Sequence, residues 1–233
     1  MLDFPGEIRD IVSSKQRYLA MLSSVYGFRS VQVEQQILTW VASLDLRVYA
    51  IETVYRSSGH ATAGVDGEIL ERKTLPQFLA MLKFDRLLTY KADPIRRVFI
   101  PKGLHDQRPL GIPTIKDRIV QTLFLQVLDP VLDVHADRHS YGFRKGRNAQ
   151  QAIGRLSKLL FQRPSSRRGV DGDKERYFVH RKHVLNIDVR KFFDSVHHQW
   201  LLREYPFPKK FITILEQWLQ SSSEYESPES GFP

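Results

Sequence analysis

Apolar residues recur every three or four positions over four stretches of this chain, and a few short stretches replace that rhythm with strand-like runs. Residues 32–55 place Ile37, Val41, Leu44, Val48, Ile51 and Val54 on one face, the pattern of a long amphipathic helix. Residues 116–129 repeat the pattern with Ile119, Val120, Leu123, Phe124, Val127 and Leu128, and Pro130 is expected to stop or bend that helix. In a third helix over 148–161, Ala149, Ala152, Ile153, Leu156, Leu159 and Leu160 are expected inside; a fourth over 208–219 turns Phe211, Ile214, Leu215 and Trp218 inward. Thr74 with Pro76 reads as the N-cap and first turn of a short helix through Leu82. Against these stand Arg97-Val98-Phe99-Ile100 with a polar turn over 103–107 and a second strand from Arg108, and the apolar run 183–189. Helices in the majority, with a hairpin and one further strand, make the expected fold class α+β.

With 233 residues, 42% of them hydrophobic, the chain can bury a real core in one large domain or two small ones. Its formal charge of +9 is segregated: residues 141–182 hold twelve Lys/Arg against three Asp/Glu, which accounts for the whole excess. A basic run is commonly a solvated face, but its concentration here suits a polyanionic partner. Absence of cysteine excludes disulfides and cysteine-ligated zinc. No run reaches the roughly 18 apolar residues of a membrane span, and Asp3, Glu7 and Asp10 argue against a signal or basic transit peptide. No membrane partner is expected, and the protein should act in the compartment where it is made.

Chemistry concentrates near Asp188, close to the end of the 183–189 run, with Phe192, Phe193 and Asp194 after it. A carboxylate at a strand end can hold Mg²⁺ while the following loop stays open to substrate. Taken singly, such an aspartate is more often a cap or turn former.

Several blocks in fixed order decide between these readings. They are Thr62-Ala63-Gly64-Val65-Asp66-Gly67; residues 97–102; Arg108-Pro109-Leu110-Gly111-Ile112-Pro113-Thr114; Lys116-Asp117-Arg118-Ile119-Val120-Gln121; Ser140-Tyr141-Gly142-Phe143-Arg144; and residues 186–194. Over residues 62–233 this series resembles the group II intron-encoded reverse transcriptases and maturases. Lys145 stands where that family usually has proline and Asn148 where serine is usual, which bears on how the helix after Arg144 begins.

The resemblance implies an incomplete right-hand polymerase fold: helical fingers with a β-hairpin, then the first part of the palm sheet. It divides the chain into an N-terminal helical extension (1–61), fingers (62–182) with a basic insertion at 163–182, and the start of the palm (183–233). Asp188 would be the first metal-binding and catalytic carboxylate for Mg²⁺, two ions in the complete enzyme, with the Val189 carbonyl as a further ligand. Phe193 would be a gate beneath the sugar of the incoming dNTP, or plain core packing. Lys102 and Arg108 would clamp the triphosphate, or be exposed hairpin charges. Gly111, Ile112 and Pro113 would lie under the templating base, and Tyr141, Arg144, Lys145 and Arg147 along the template path. Arg167 and Arg168 would grip RNA by its backbone.

Two functions follow. One is the N-terminal half of an RNA-directed DNA polymerase that binds intron RNA and, joined to a C-terminal half in cis or trans, copies a template from an RNA/DNA primer duplex. The other is a split or degenerate maturase that only binds RNA and assists splicing. No Asp-Asp pair occurs among the 233 residues, so the chain by itself is expected to bind structured RNA without extending primers. A bacterial cytoplasm or an organelle interior would be its place.

Overall fold

The computed structural model describes residues 6–102, 106–161, 183–190, 192–221 and 223–225; for 102, 106, 161, 194 and 223–225 the description is of backbone only. The expectation of a basic insertion at 163–182 lies outside these residues, as does most of the Ser-, Glu- and Pro-rich tail. Two compact units result. One joins the residues up to His135 with those from His197 onward, and the other is Ala136–Val196.

The first unit is organised around helix α6 (Ile115–Asp133), whose Ile115, Ile119, Val120, Leu123, Phe124, Val127, Leu128 and Val131 are all buried. Helix α1 (Gly6–Tyr26) adds Val12, Leu19 and Leu22 to the same core. The single helix expected over 32–55 is two, α2 (Val31–Val41) and α3 (Leu44–Tyr55). Ser43 between them has extended backbone, φ −73° and ψ 142°, and its hydroxyl donates to the Trp40 carbonyl at 2.7 Å. Such local side-chain bonding competes with the helix ladder. After the restart Leu44 is 58% exposed and Leu46 and Ala50 enter the core, while Ile51 and Val54 are buried as expected.

Pro130 neither stops nor ends α6, which runs through it. A proline inside a helix leaves the carbonyl four residues earlier without its N–H partner. That carbonyl belongs to Gln126, and Gln16 of α1 donates to it through Nε2 at 3.1 Å. Tertiary packing thus supplies the bond that proline removes.

Helices α4 (Leu75–Met81) and α5 (Phe84–Leu88) lead to the hairpin. Thr74 does not cap α4 with its side chain; its hydroxyl exchanges bonds of 3.2 and 2.8 Å with the Glu71 backbone in the turn before the helix. Strands β1 (Ile95–Lys102) and β2 (Asp106–Ile112) pair antiparallel from Arg96↔Ile112 to Lys102↔Asp106, longer than the sequence suggested. After α8 (His198–Glu204), α9 (Ile212–Gln220) buries Phe211, at its start, and Ile214 in the core, with Leu215 and Trp218 packed against it. β3 (Ser223–Tyr225) then runs parallel to β1, giving the sheet order β2-β1-β3.

The second unit departs most from expectation. Helix α7 (Ala149–Phe161) forms, but no described residue of it is buried, and Ile153 is 62% exposed. Residues 183–189 make no strand; Leu185 is 82% exposed, and Val184, Ile187 and Val189 are exposed as well. A strand exists by virtue of a paired neighbour, and no described segment of this unit pairs with the run. Composition marked it as apolar; pairing and burial are a separate matter.

Candidate functional site

The motif residues of the first unit converge on the corner between β2 and α6. Arg118 reaches from the first turn of α6 to three carbonyls: Nε to Pro113 at 3.0 Å, Nη1 to Gly59 at 2.6 Å, and Nη2 to Thr62. Burial lowers its pKa from the usual value, Asp66 works against that, and Arg96 adds to it. The same corner needs Gly64, because a Cβ there would lie 2.6 Å from Thr114 Cα and 2.8 Å from its N. Residues 62–67 are thereby locked against 111–114, two blocks separated in sequence and joined in space. Gly111 in turn lies under Ile95, whose Cγ2 would be 2.9 Å from an added Cβ.

Beneath this corner lies a polar network that sequence reasoning missed. The carboxylate of Asp117, 2% exposed, accepts from the Tyr90 hydroxyl and from the Asp93 N–H at 3.1 Å. Trp218 Nε1 donates to the Tyr90 oxygen at 3.0 Å, and Thr114, the N-cap of α6, receives the Asp117 N–H at 3.2 Å and donates to Asp93 at 3.3 Å. Desolvation raises the pKa of Asp117, opposed by its bonds to Tyr90 and Asp93; desolvation also raises that of Tyr90, reinforced by Asp117. Gln217 completes the clamp by accepting from Ala92 N at 2.7 Å and donating to the Tyr90 carbonyl at 3.3 Å. The residues that enter β1 are therefore fixed by α6 and α9 together. One sequence signal was available: Thr114-x-x-Asp117 before an apolar run is a helix-start signature.

On the hairpin, Arg108 pairs with Ile100 and Lys102 with Asp106. The backbones of Lys102 and Arg108 are thus two ladder positions apart, the diagonal spacing of cross-strand neighbours.

In the second unit, the loop carrying Tyr141 to Arg147 is held by its own arginines. Arg144 Nη1 donates to the Asp137 carbonyl at 2.8 Å and to that of Ser140 at 3.0 Å. The Arg147 guanidinium lies 5.5 Å from the Tyr141 ring centroid. Phe143 takes the left-handed backbone at φ 56° and Gly146 at φ 74°. Asn148 then opens α7 with a reciprocal cap, accepting from Gln151 N at 2.8 Å while Gln151 Oε1 accepts from Asn148 N at 3.2 Å. The departure from serine at this position keeps a competent helix entry.

Asp188 and Val189 are exposed, and Phe193 is 80% exposed, its ring edge-on to Phe192 at 5.5 Å. The core-packing alternative for Phe193 is accordingly not met within the described residues. Candidate residues divide between the units: Lys102, Arg108, Gly111, Ile112 and Pro113 in the first, Tyr141, Arg144, Lys145, Arg147, Asp188, Val189 and Phe193 in the second. Arg167 and Arg168 lie outside the described residues. Among the described residues no three His, Cys, Asp or Glu side chains gather into a metal-binding group. One exposed carboxylate and one carbonyl fall short of the octahedral set Mg²⁺ requires, so these residues do not by themselves build its site. Among the described helices none is long and apolar enough to cross a membrane.

Residues 100–232 match the reverse transcriptase (RNA-dependent DNA polymerase) family, a span that takes in most of the hairpin, α6, the Tyr141 loop and the Asp188 block. The class of fold is therefore that of the reverse transcriptases, here a largely helical framework bearing a β-hairpin. Protein YkfC of Escherichia coli is 33% identical over 215 residues, 88% of this chain and 51% of that protein. The group II intron-encoded protein LtrA of Lactococcus lactis is 24% identical over 203 residues, and the putative COX1/OXI3 intron 1 protein of Saccharomyces cerevisiae 24% over 209. This chain spans 33% and 23% of those two proteins, against 86% of its own length in each case. The chain belongs to the reverse transcriptase family, in the branch of the group II intron-encoded reverse transcriptases and maturases.

Proposed function

We propose that this chain is the fingers and opening palm of an RNA-directed DNA polymerase that binds intron RNA and, with the rest of the polymerase, copies RNA into DNA. The observation that carries the reading is the single continuous family match over residues 100–232, which runs through every candidate block from the hairpin onward in order. Lys102 and Arg108 hold the triphosphate of the dNTP, for which their adjacency on the hairpin ladder is suited. Gly111, Ile112 and Pro113 carry the templating base on the corner that Arg118 and Gly64 make rigid. Arg144 acts by holding the 137–147 loop through its two carbonyl bonds, while Tyr141, Lys145 and Arg147 line the template path. Arg167 and Arg168 add backbone affinity.

Asp188, with the Val189 carbonyl, contributes its share of the ligands for Mg²⁺, and the remaining carboxylates must come from outside these 233 residues. The metal ions supply activation of the primer hydroxyl and charge neutralisation when bound. Phe193 bars a 2′-hydroxyl by lying beneath the sugar. By themselves the 233 residues bind RNA without extending a primer.

A second reading, supported by the similarity to a group II intron-encoded protein, is a maturase that binds intron RNA and promotes splicing without synthesis. Primer extension by the chain joined to a complete palm and thumb separates the two. Asp188→Ala is expected to abolish DNA synthesis with RNA binding intact, and Phe193→Ala to admit ribonucleotides. Synthesis that survives Asp188→Ala refutes the polymerase role of this residue; splicing assistance indifferent to both substitutions supports the second reading.

A further inference from the structure

Between α4, α5 and the first turn of α6 lies an open cavity of about 500 Å³, lined among others by Gln77, Met81, Arg86, Tyr90, Lys91 and Lys116. Its lining includes three cations and no acid. Arg86 and Lys91 are exposed, and neither side chain has a hydrogen bond or ion pair among the described residues. Lys116 is different: it is anchored by Asp93 at 2.5 Å and sits 5.6 Å from the Tyr90 ring centroid. Below it, the Tyr90–Asp117–Trp218 network makes the floor rigid. A groove of similar size, about 480 Å³ between α1 and α3, offers a useful contrast, since there Glu52 lies in the lining and pairs with Arg56. Beyond its ion pair the second groove keeps one cation, Arg9, whereas the first keeps two, Arg86 and Lys91, beyond the Lys116–Asp93 pair.

We infer that the α4–α5–α6 groove is a binding site for the phosphodiester backbone of single-stranded RNA, with Arg86 and Lys91 as the contacting cations and Lys116 as a fixed charge behind them. This rests on the RNA-binding part of the proposed function and adds a surface outside the hairpin, the template loop and the palm residues. The lining favours phosphate over base. Tyr90 is buried beneath Lys116, so its ring is closed to stacking, and the cations have the unspent donors that phosphate oxygens take.

The test is fluorescence anisotropy of a labelled single-stranded RNA with the full chain, titrated across a series of KCl concentrations. Each lost contact to a single strand lowers the log–log salt slope by about 0.7, so Arg86→Ala/Lys91→Ala should lower it by about 1.4 and weaken binding. Lys209→Ala/Lys210→Ala, on an exposed turn of the same unit, is the control for a diffuse field and should leave the slope nearly unchanged. An unaltered slope in the groove variant, an equal loss in the control, or no RNA binding by the wild type overturns the inference. Displacement of the RNA by stoichiometric inorganic triphosphate would overturn it too, assigning the groove to free nucleotide phosphates. Circular dichroism melts identical to wild type show that the variants are folded. Loss of DNA synthesis in the joined polymerase is a separate readout, so failure of the polymerase reading leaves this one standing.

Discussion

Asp117→Ala tests whether the buried network holds the first unit together. The substitution removes the acceptor of the Tyr90 hydroxyl and of the Asp93 N–H, at a site where Asp117 is 2% exposed. A hydrogen bond to a charged acceptor contributes about 1.5–3 kcal/mol net, and a stranded buried donor costs about 1–3 kcal/mol. Burial of the carboxylate is itself unfavourable, as its raised pKa records, which offsets part of the gain. The expected loss is therefore about 3 kcal/mol, equivalent to a fall of about 6–12 °C in Tm for a domain of this size. Thermal melts by circular dichroism and urea titrations measure it, with Tyr90→Phe as the partner in a double-mutant cycle. Coupling of at least about 1 kcal/mol is expected because the two groups share one bond. A Tm shift below about 2 °C, or strictly additive effects, would refute the claim that the network secures the entry to β1. The pH dependence has a definite sign. A carboxyl whose folded pKa is raised stabilises the fold most below the ordinary aspartate range, and that contribution is lost as pH rises through the raised value. Wild type should accordingly lose stability relative to Asp117→Asn across that window.

Two further outcomes follow from close contacts. Gly64→Ala places a Cβ 2.6 Å from backbone at Thr114, which cannot yield as a side chain can; a loss of about 3 kcal/mol in urea denaturation is expected. Gly142→Ala, with open space around it, serves as the comparison and should cost far less. Gln16→Ala strands the Gln126 carbonyl and should cost about 1 kcal/mol. Adding Pro130→Ala restores an N–H to that carbonyl, so the double variant should be more stable than Gln16→Ala; equal or lower stability would remove Gln16 from this role.

Several helices were legible in the apolar spacing, although α1, with 21 residues, was not read from it. The runs at 116–129 and 208–219 became α6 and α9 with their buried residues as read, and the Arg97 and Arg108 runs became β1 and β2. Boundaries failed where a polar group acted through space. Ser43 split one helix in two by bonding to Trp40, and Gln16 let α6 continue past Pro130. Neither event has a periodic signature, because each depends on a particular pair of groups meeting. The candidate site shows the same division: the ordered blocks announced a reverse transcriptase, but Tyr90, Asp93 and Trp218 had no motif to mark them, being joined only by folding.

The sequence by itself determined the family, the helical majority and the charge excess, since order of residue types, spacing and composition are linear properties. Only the tertiary structure decided that residues 62–67 lock onto 111–114, that Arg118 spends its guanidinium on three carbonyls, and that Asp117 is buried with Tyr90. It also decided that the apolar run 183–189 stands unpaired among the described residues, despite a composition that reads as a strand. The physical reason is common to all four. Hydrophobicity is carried by a residue wherever it sits, whereas a hydrogen bond, a close backbone approach or a strand pairing exists only when a second group is brought to meet it.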